Sequence, residues 1–230
     1  MQVEHSPDTI YKVLEQEIAE LRIRPGEVLS ENSLCKRFGV SRTPIRSVLQ
    51  RLEQNRFVKI VPCKGTLVTP IDLKIANELI YRRVAIECMV FRDFIRTAKP
   101  TEVEEARYLL EVLCQAGEKR NDPGFDLNEF LRKDLEMHQL WFRVTDKLFL
   151  WKELTDPQAD YSRFIRLDVL GGKNVPDVIR EHTRMMELID TKNEADIEEL
   201  MTYHLYGGVR RLGGKIFSQE YAAYFQPVEL

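Results

Sequence analysis

Apolar residues recur at helical spacing from the first readable stretch: Ile10, Val13, Leu14, Ile18 and Leu21 predict a helix over 8–22, with Asp8 as its cap after Pro7. Arg24-Pro25-Gly26 ends it, because proline disfavours helical geometry in the residue before it and glycine permits a turn. A second helix begins at Ser30, carries Ser33 and Leu34, and stops at Phe38-Gly39-Val40. Ser41 caps a third. Pro44 falls in its tolerant first turn, and Ile45, Val48, Leu49 and Leu52 repeat at helical spacing to about Gln54. The period then changes. Phe57–Val61 and Gly65–Thr69 are β-branched and aromatic runs on either side of Pro62-Cys63-Lys64, the pattern of a hairpin.

Past a junction at Thr69-Pro70-Ile71-Asp72 the pattern is helical without strand alternation up to about residue 218. Helices are predicted over 73–97, 101–119, 126–145, 147–169, 174–191 and 193–217. Lys99-Pro100, Asp122-Pro123-Gly124, Gly171-Gly172 and Lys192-Asn193 separate them. The fold class is therefore mainly α: an amino-terminal winged helix-turn-helix over 1–70 and an all-α helical bundle over 71–230.

Composition narrows the class without changing that picture. A chain of 230 residues, 43% hydrophobic and 31% charged, can bury a core and is neither collagen-like nor wholly disordered. Its apolar runs fall far short of the ~20 residues that span a bilayer. The start, Met-Gln-Val-Glu-His-Ser-Pro-Asp, lacks the basic and apolar stretches of a secretory signal, so a cytoplasmic location is expected. Cys35, Cys63, Cys88 and Cys114 are scattered with no Cys-x-x-Cys pair, which fits reduced thiols better than a disulfide frame.

Charge is uneven. Residues 1–70 hold 11 Lys and Arg against 8 Asp and Glu, although the whole chain carries −3. From Lys36 to Lys64 eight basic residues face only Glu53, a stripe that attracts a polyanion. Two helices joined by a glycine turn place the second helix's start in a major groove, so the stripe and the motif point together to duplex DNA.

The four histidines add a second chemistry. On the helix over 126–145, Asp134 and His138 stand at i and i+4 on the same stripe as Leu127, Leu131 and Trp141. His182 shares a stripe with Val178, Ile179 and Met186, and His204 with Ile197, Leu200 and Met201. Burying a carboxylate and three imidazoles unpartnered costs several kcal/mol. A shared divalent cation removes that cost: zinc first, with nickel or manganese as alternatives. His5 is read as part of a loose tail.

Residues 26–69 resemble the winged helix-turn-helix of the GntR family of bacterial transcription regulators, through Gly39-Val40-Ser41-Arg42-Thr43-Pro44-Ile45-Arg46, Leu49-x-x-Leu52-Glu53 and Lys64-Gly65-Thr66. The resemblance implies that Arg42 and Arg46 approach base edges, that Ser41 and Thr43 hold phosphates, and that Lys64 and Gly65 set the wing tip at the minor groove. Two residues depart from it: Arg56 stands where the family usually has glycine, and Asn32 where an arginine often reaches the operator. Residues 75–215 resemble the FCD effector-binding domain of the FadR-like subgroup, whose Asp-x-x-x-His pair and two later histidines hold a metal. Asp134, His138, His182 and His204 fill those places, and Arg83, four before Glu87, matches the arginine that pairs with an effector carboxylate, with Arg82 as fallback.

The resemblance thus implies a homodimeric DNA-binding regulator, a repressor before an activator, bound to a pseudo-palindromic operator and switched by a small organic acid. Two rivals remain at this point. One is a metal sensor in which the ion itself is the signal. The other is a metal-dependent hydrolase, disfavoured because no Glu on these stripes is an obvious acid or base and no Gly-x-Ser-x-Gly motif occurs.

Overall fold

The computed structural model describes residues 6–156, 158–169 and 174–226. In chain order it contains α1 (Pro7–Ala19), β1 (Val28–Leu29), α2 (Glu31–Phe38), α3 (Arg42–Gln54), β2 (Val58–Val61), β3 (Gly65–Val68), α4 (Leu73–Thr97), α5 (Pro100–Glu118), α6 (Leu127–Val144), α7 (Leu148–Thr155), α8 (Ala159–Val169), α9 (Val175–Thr191), α10 (Ile197–Leu205), α11 (Gly207–Leu212) and α12 (Gln219–Ala222). The described residues fall into two compact units, one drawn from 1–78, 157–167 and 212–230, the other from 79–156 and 168–211. No described helix is long and apolar enough to cross a membrane.

In the first unit the predicted apolar stripes meet. Ile10, Leu14 and Ile18 of α1 pack with Ile45, Val48, Leu49 and Leu52 of α3 and with Phe57 in one core. Pro7, not Asp8, opens α1, so the cap moves back to Ser6, whose hydroxyl accepts from the Thr9 amide at 3.2 Å. Proline suits the first helical position because its missing N–H would have no partner there. Asp8 instead meets Arg51 at 2.6 Å. Ser30 caps α2 as expected, and Gly39 ends it in the left-handed region at φ 68°. Ser41 occupies the cap position of α3 without a side-chain capping bond. The hairpin forms in the predicted place, Val58 opposite Val68 and Val61 opposite Gly65. It gains an edge strand, β1, that two residues are too few to announce.

Arg56 shows why glycine is usual at its position. Its φ is 65°, a conformation that costs a residue with a Cβ about 1 kcal/mol or more. The side chain is engaged in return: Nε lies 3.3 Å from Asp160 and Nη2 3.5 Å from Asp72.

The second unit is all helical. Its main core joins Phe91 and Phe94 of α4, Trp141 and Phe142 of α6, Trp151 of α7, Met185 of α9 and Met201 of α10. A smaller cluster joins Leu113, Phe130, Val175 and Val178. Gly117 lies at its edge, where an added Cβ would come within 2.5 Å of Ile179 and 2.9 Å of Val175. Replacing Gly117 with leucine is therefore expected to cost about 1–3 kcal/mol, read as a lower urea midpoint with an unchanged slope.

Two predicted helices are each interrupted. The span 147–169 splits into α7 and α8 because Asp156 precedes a proline and takes extended ψ of 135°. The span 193–217 becomes α10, α11 and a 3-10 turn over Gly213–Phe217, with glycine pairs at 207–208 and 213–214 where helical continuity is weakest. The Gly171-Gly172 break and His5 lie outside the described residues.

Candidate metal centre and nucleic-acid interface

Helices α6, α9 and α10 of the second unit bring the four predicted ligands together. One donor atom from each of Asp134, His138, His182 and His204 lies within 4.8 Å of the other three. Nε2 of His138 is 3.2 Å from Nε2 of His204, and Nε2 of His182 is 3.4 Å from Asp134 Oδ1. His138 and His182 are fully buried, and the His204 side chain is 8% exposed.

Each ring is fixed from behind. Nδ1 of His138 is 2.5 Å from Glu87 Oε2, Nδ1 of His204 is 2.8 Å from Glu181 Oε2, and Nδ1 of His182 is 2.9 Å from the Val178 carbonyl. A carboxylate or carbonyl opposite Nδ1 makes that nitrogen the donor, so in the neutral form of each ring Nε2 presents a lone pair. Two lone pairs 3.2 Å apart in a buried site repel unless a cation or proton lies between them. Nε2 of His182 has no hydrogen-bond partner among the described residues. Three neutral imidazoles and one carboxylate are a fitting donor set for a divalent transition metal.

The electrostatics keep those forms. Burial pushes the His182 pKa down against the pull of Asp134. Burial followed by repulsion from His182 and His138 drives His204 well below its usual value, so both rings stay neutral, as ligation requires. Burial works against the charge of Asp134, yet the three rings and Arg83 hold its carboxyl below the usual range. Glu87 is wholly buried, but Arg83 and His138 outweigh burial and keep its carboxyl ionised, with a pKa of about 2. Burial raises Glu181 to about 7 despite the nearby Arg211 and Arg210.

Arg83 is linked to this cluster through a glutamate. It is buried on α4, and its Nε donates to Glu87 Oε1 at 2.5 Å, so it reaches the centre through Glu87 and His138. Arg82 donates instead to the Glu153 carbonyl at 3.2 Å. The two glutamates that orient the rings were not assigned this role from the sequence. Arg83 four before Glu87 and the Glu181-His182 dipeptide were the available signals. Each carboxylate is engaged by a ring Nδ1 on one oxygen and by an arginine on the other.

In the first unit Ser41, Arg42, Thr43 and Arg46 stand exposed at the start of α3, and Lys64 and Gly65 stand exposed at the wing turn. Gly65 has φ 101°, which only glycine adopts readily, and an added Cβ would press on Val28 at 3.2 Å. The basic stripe is partly matched from within. Arg37 forks onto Glu17 at 2.6 and 2.7 Å, Arg42 donates to Asn32 at 3.0 Å, and Arg46 lies 3.1 Å from both Glu31 oxygens. Asn32, one of the two departures, thus acts here as an acceptor for Arg42.

Comparison with known proteins matches the chain in two stretches. The model of the gntR family of bacterial regulatory proteins matches residues 7–68, and that of the FCD domain matches residues 78–207. The HTH-type transcriptional repressor RspR of Escherichia coli is 27% identical over 198 residues, covering 85% of this chain and 84% of that protein. A transcriptional regulator of Bacillus subtilis, YdhC, is 28% identical over 84% of this chain and 85% of its own. The gluconate operon transcriptional repressor of the same species is 25% identical over 75% of this chain and 71% of its own. Among solved structures, E. coli McbR/YncC shares the fold with a TM-score of 0.67 at 17% identity, covering 94% of this chain and 98% of that one. A winged head with exposed arginines on its second motif helix, followed by a helical domain of the FCD type, makes this chain a member of the GntR family of DNA-binding transcriptional regulators.

Proposed function

We propose that the chain is a repressor responsive to a small carboxylic acid and built around a divalent ion, with zinc ahead of nickel or manganese. Its head, residues 1–70, binds a pseudo-palindromic operator as half of a cytoplasmic homodimer, and residues 71–230 form the effector-binding and dimerising domain. One observation carries the effector half: the opposed Nε2 atoms of His138 and His204, each with its Nδ1 committed to a glutamate. A bound ion would supply Lewis acidity toward a carboxylate oxygen, with Asp134, His138, His182 and His204 as its protein ligands. The chain's own part is to hold three rings in one tautomer, keep them dry, and offer the Arg83 guanidinium as counter-charge to the acid. An acid switches the protein only if it prefers one arrangement of the helical domain.

On the DNA side, Arg42 and Arg46 read base edges, with guanine O6 and N7 as the matching pair of acceptors. Ser41, Thr43, Lys64 and Gly65 position the backbone. Asn32 and Glu31 hold those arginines in place and must yield to DNA.

The test is operator selection from random duplexes, followed by anisotropy titrations with zinc and a panel of small mono- and dicarboxylic acids. One acid is expected to weaken operator binding by about fivefold or more. Arg42→Ala and Arg46→Ala should each cost about 1–3 kcal/mol on the selected site and relax preference there. Glu31→Gln should tighten binding to all sequences by removing a competing charge. Absence of any sequence preference, or arginine variants that bind like the parent, would overturn the DNA assignment. A panel with no active acid at saturating metal would overturn the effector assignment.

A further inference from the structure

Two of the three rings lean on a glutamate whose other oxygen turns to arginine. The Glu87 arm leads to Arg83. The Glu181 arm continues outward: its Oε1 is 3.4 Å from Arg210 Nη2 and 3.9 Å from Arg211 Nη1. Arg211 then clasps Asp168, with Nε at 3.0 and 3.2 Å from its two oxygens and Nη2 at 2.6 Å. Asp168 and Glu181 are both buried, so these charges are poorly screened. The position of the clasp is the telling feature. Asp168 and Arg211 are the first and last residues of the stretch 168–211 that belongs to the metal-centred unit, while 167 and 212 belong to the other.

We propose that the Asp168–Arg211 clasp is the output of the metal centre, a reading that rests on the metal-binding function proposed above. Positive charge at His204 Nε2 makes its Nδ1–H a stronger donor and draws Glu181 toward the ring. Less of the Glu181 charge is then shared with Arg211, whose other counter-charges are Asp168 and, at 4.0 Å, Asp177. The clasp tightens, and with it the last turn of α8 and the end of α11, where the chain passes between units. Arg211 is a positioning residue in this scheme: it meets neither the ion nor DNA.

Hydrogen exchange tests this on the full chain, stripped by chelator and then given zinc, with uptake measured by metal analysis. Amides of residues 165–169 are expected to gain about fivefold or more in protection on zinc binding, the scale of an ordinary coupling free energy. In Asp168→Asn and in Arg211→Lys, which cannot fork onto a carboxylate, the ion should still bind but that gain should fall below about twofold. Zinc uptake by the parent protein with unchanged protection there would overturn the inference alone, and so would a parent-sized response in both variants. Failure to take up any ion would overturn it together with the metal-binding function.

Discussion

His182→Ala is expected to abolish the stabilisation that a divalent ion at the proposed site would give this protein. An ion at about 1,000 times its dissociation constant stabilises the native state by ~4 kcal/mol. For a chain of 230 residues that is a rise in Tm of roughly 8–16 °C. Differential scanning fluorimetry of chelator-treated protein, then with zinc, nickel or manganese restored, reads it directly. His182 is the informative choice because its Nδ1 bonds a backbone carbonyl, that of Val178, so alanine removes a donor without freeing one of the glutamates that orient the other rings. In the variant the rise should vanish for all three metals, while the chelated protein melts within a few degrees of the chelated parent. An equal rise in both proteins would remove His182 from the site.

The four clustered side chains were legible in the sequence because each broke a pattern. Asp134 and His138 interrupt the apolar stripe of α6, and His182 and His204 interrupt those of α9 and α10, so their burial followed from helical spacing alone. Long amphipathic segments were equally plain: α4 spans Leu73–Thr97, as its period predicts. Glu87 and Glu181 broke no such rule, since a glutamate on a helix is ordinarily solvated. Their roles depend on rings 51 and 23 residues away, a relation that no local period encodes. The basic stripe misled in the opposite sense. Charge counting treats Arg37, Arg51 and Arg56 as available to a polyanion, whereas tertiary structure turns them to Glu17, Asp8 and Asp160. What remains exposed toward a ligand is narrower than the stripe, and it is centred on the start of α3.

Glu87→Gln should be the most damaging single change in the helical domain that leaves all four ligands intact. It removes the charge facing Arg83 and leaves one acceptor oxygen to serve both Arg83 and His138, while keeping the shape of the side chain. Breaking one partner out of a buried ion pair costs about 3–5 kcal/mol, because the remaining charge stays out of water. Loss of the group that orients a ligand lowers metal affinity by about 10–100-fold. The expected result is a lower urea midpoint together with weaker zinc binding. The same variant separates structure from function. If Arg83 is the residue that receives an acid's carboxylate, an added acid restores to Glu87→Gln the negative charge it lost. The acid should then raise the variant's Tm by more degrees than it raises the parent's, in which Glu87 already occupies the guanidinium. An acid that stabilises the parent and the variant equally would place its carboxylate elsewhere, and Arg83 would then serve only to hold Glu87 against His138.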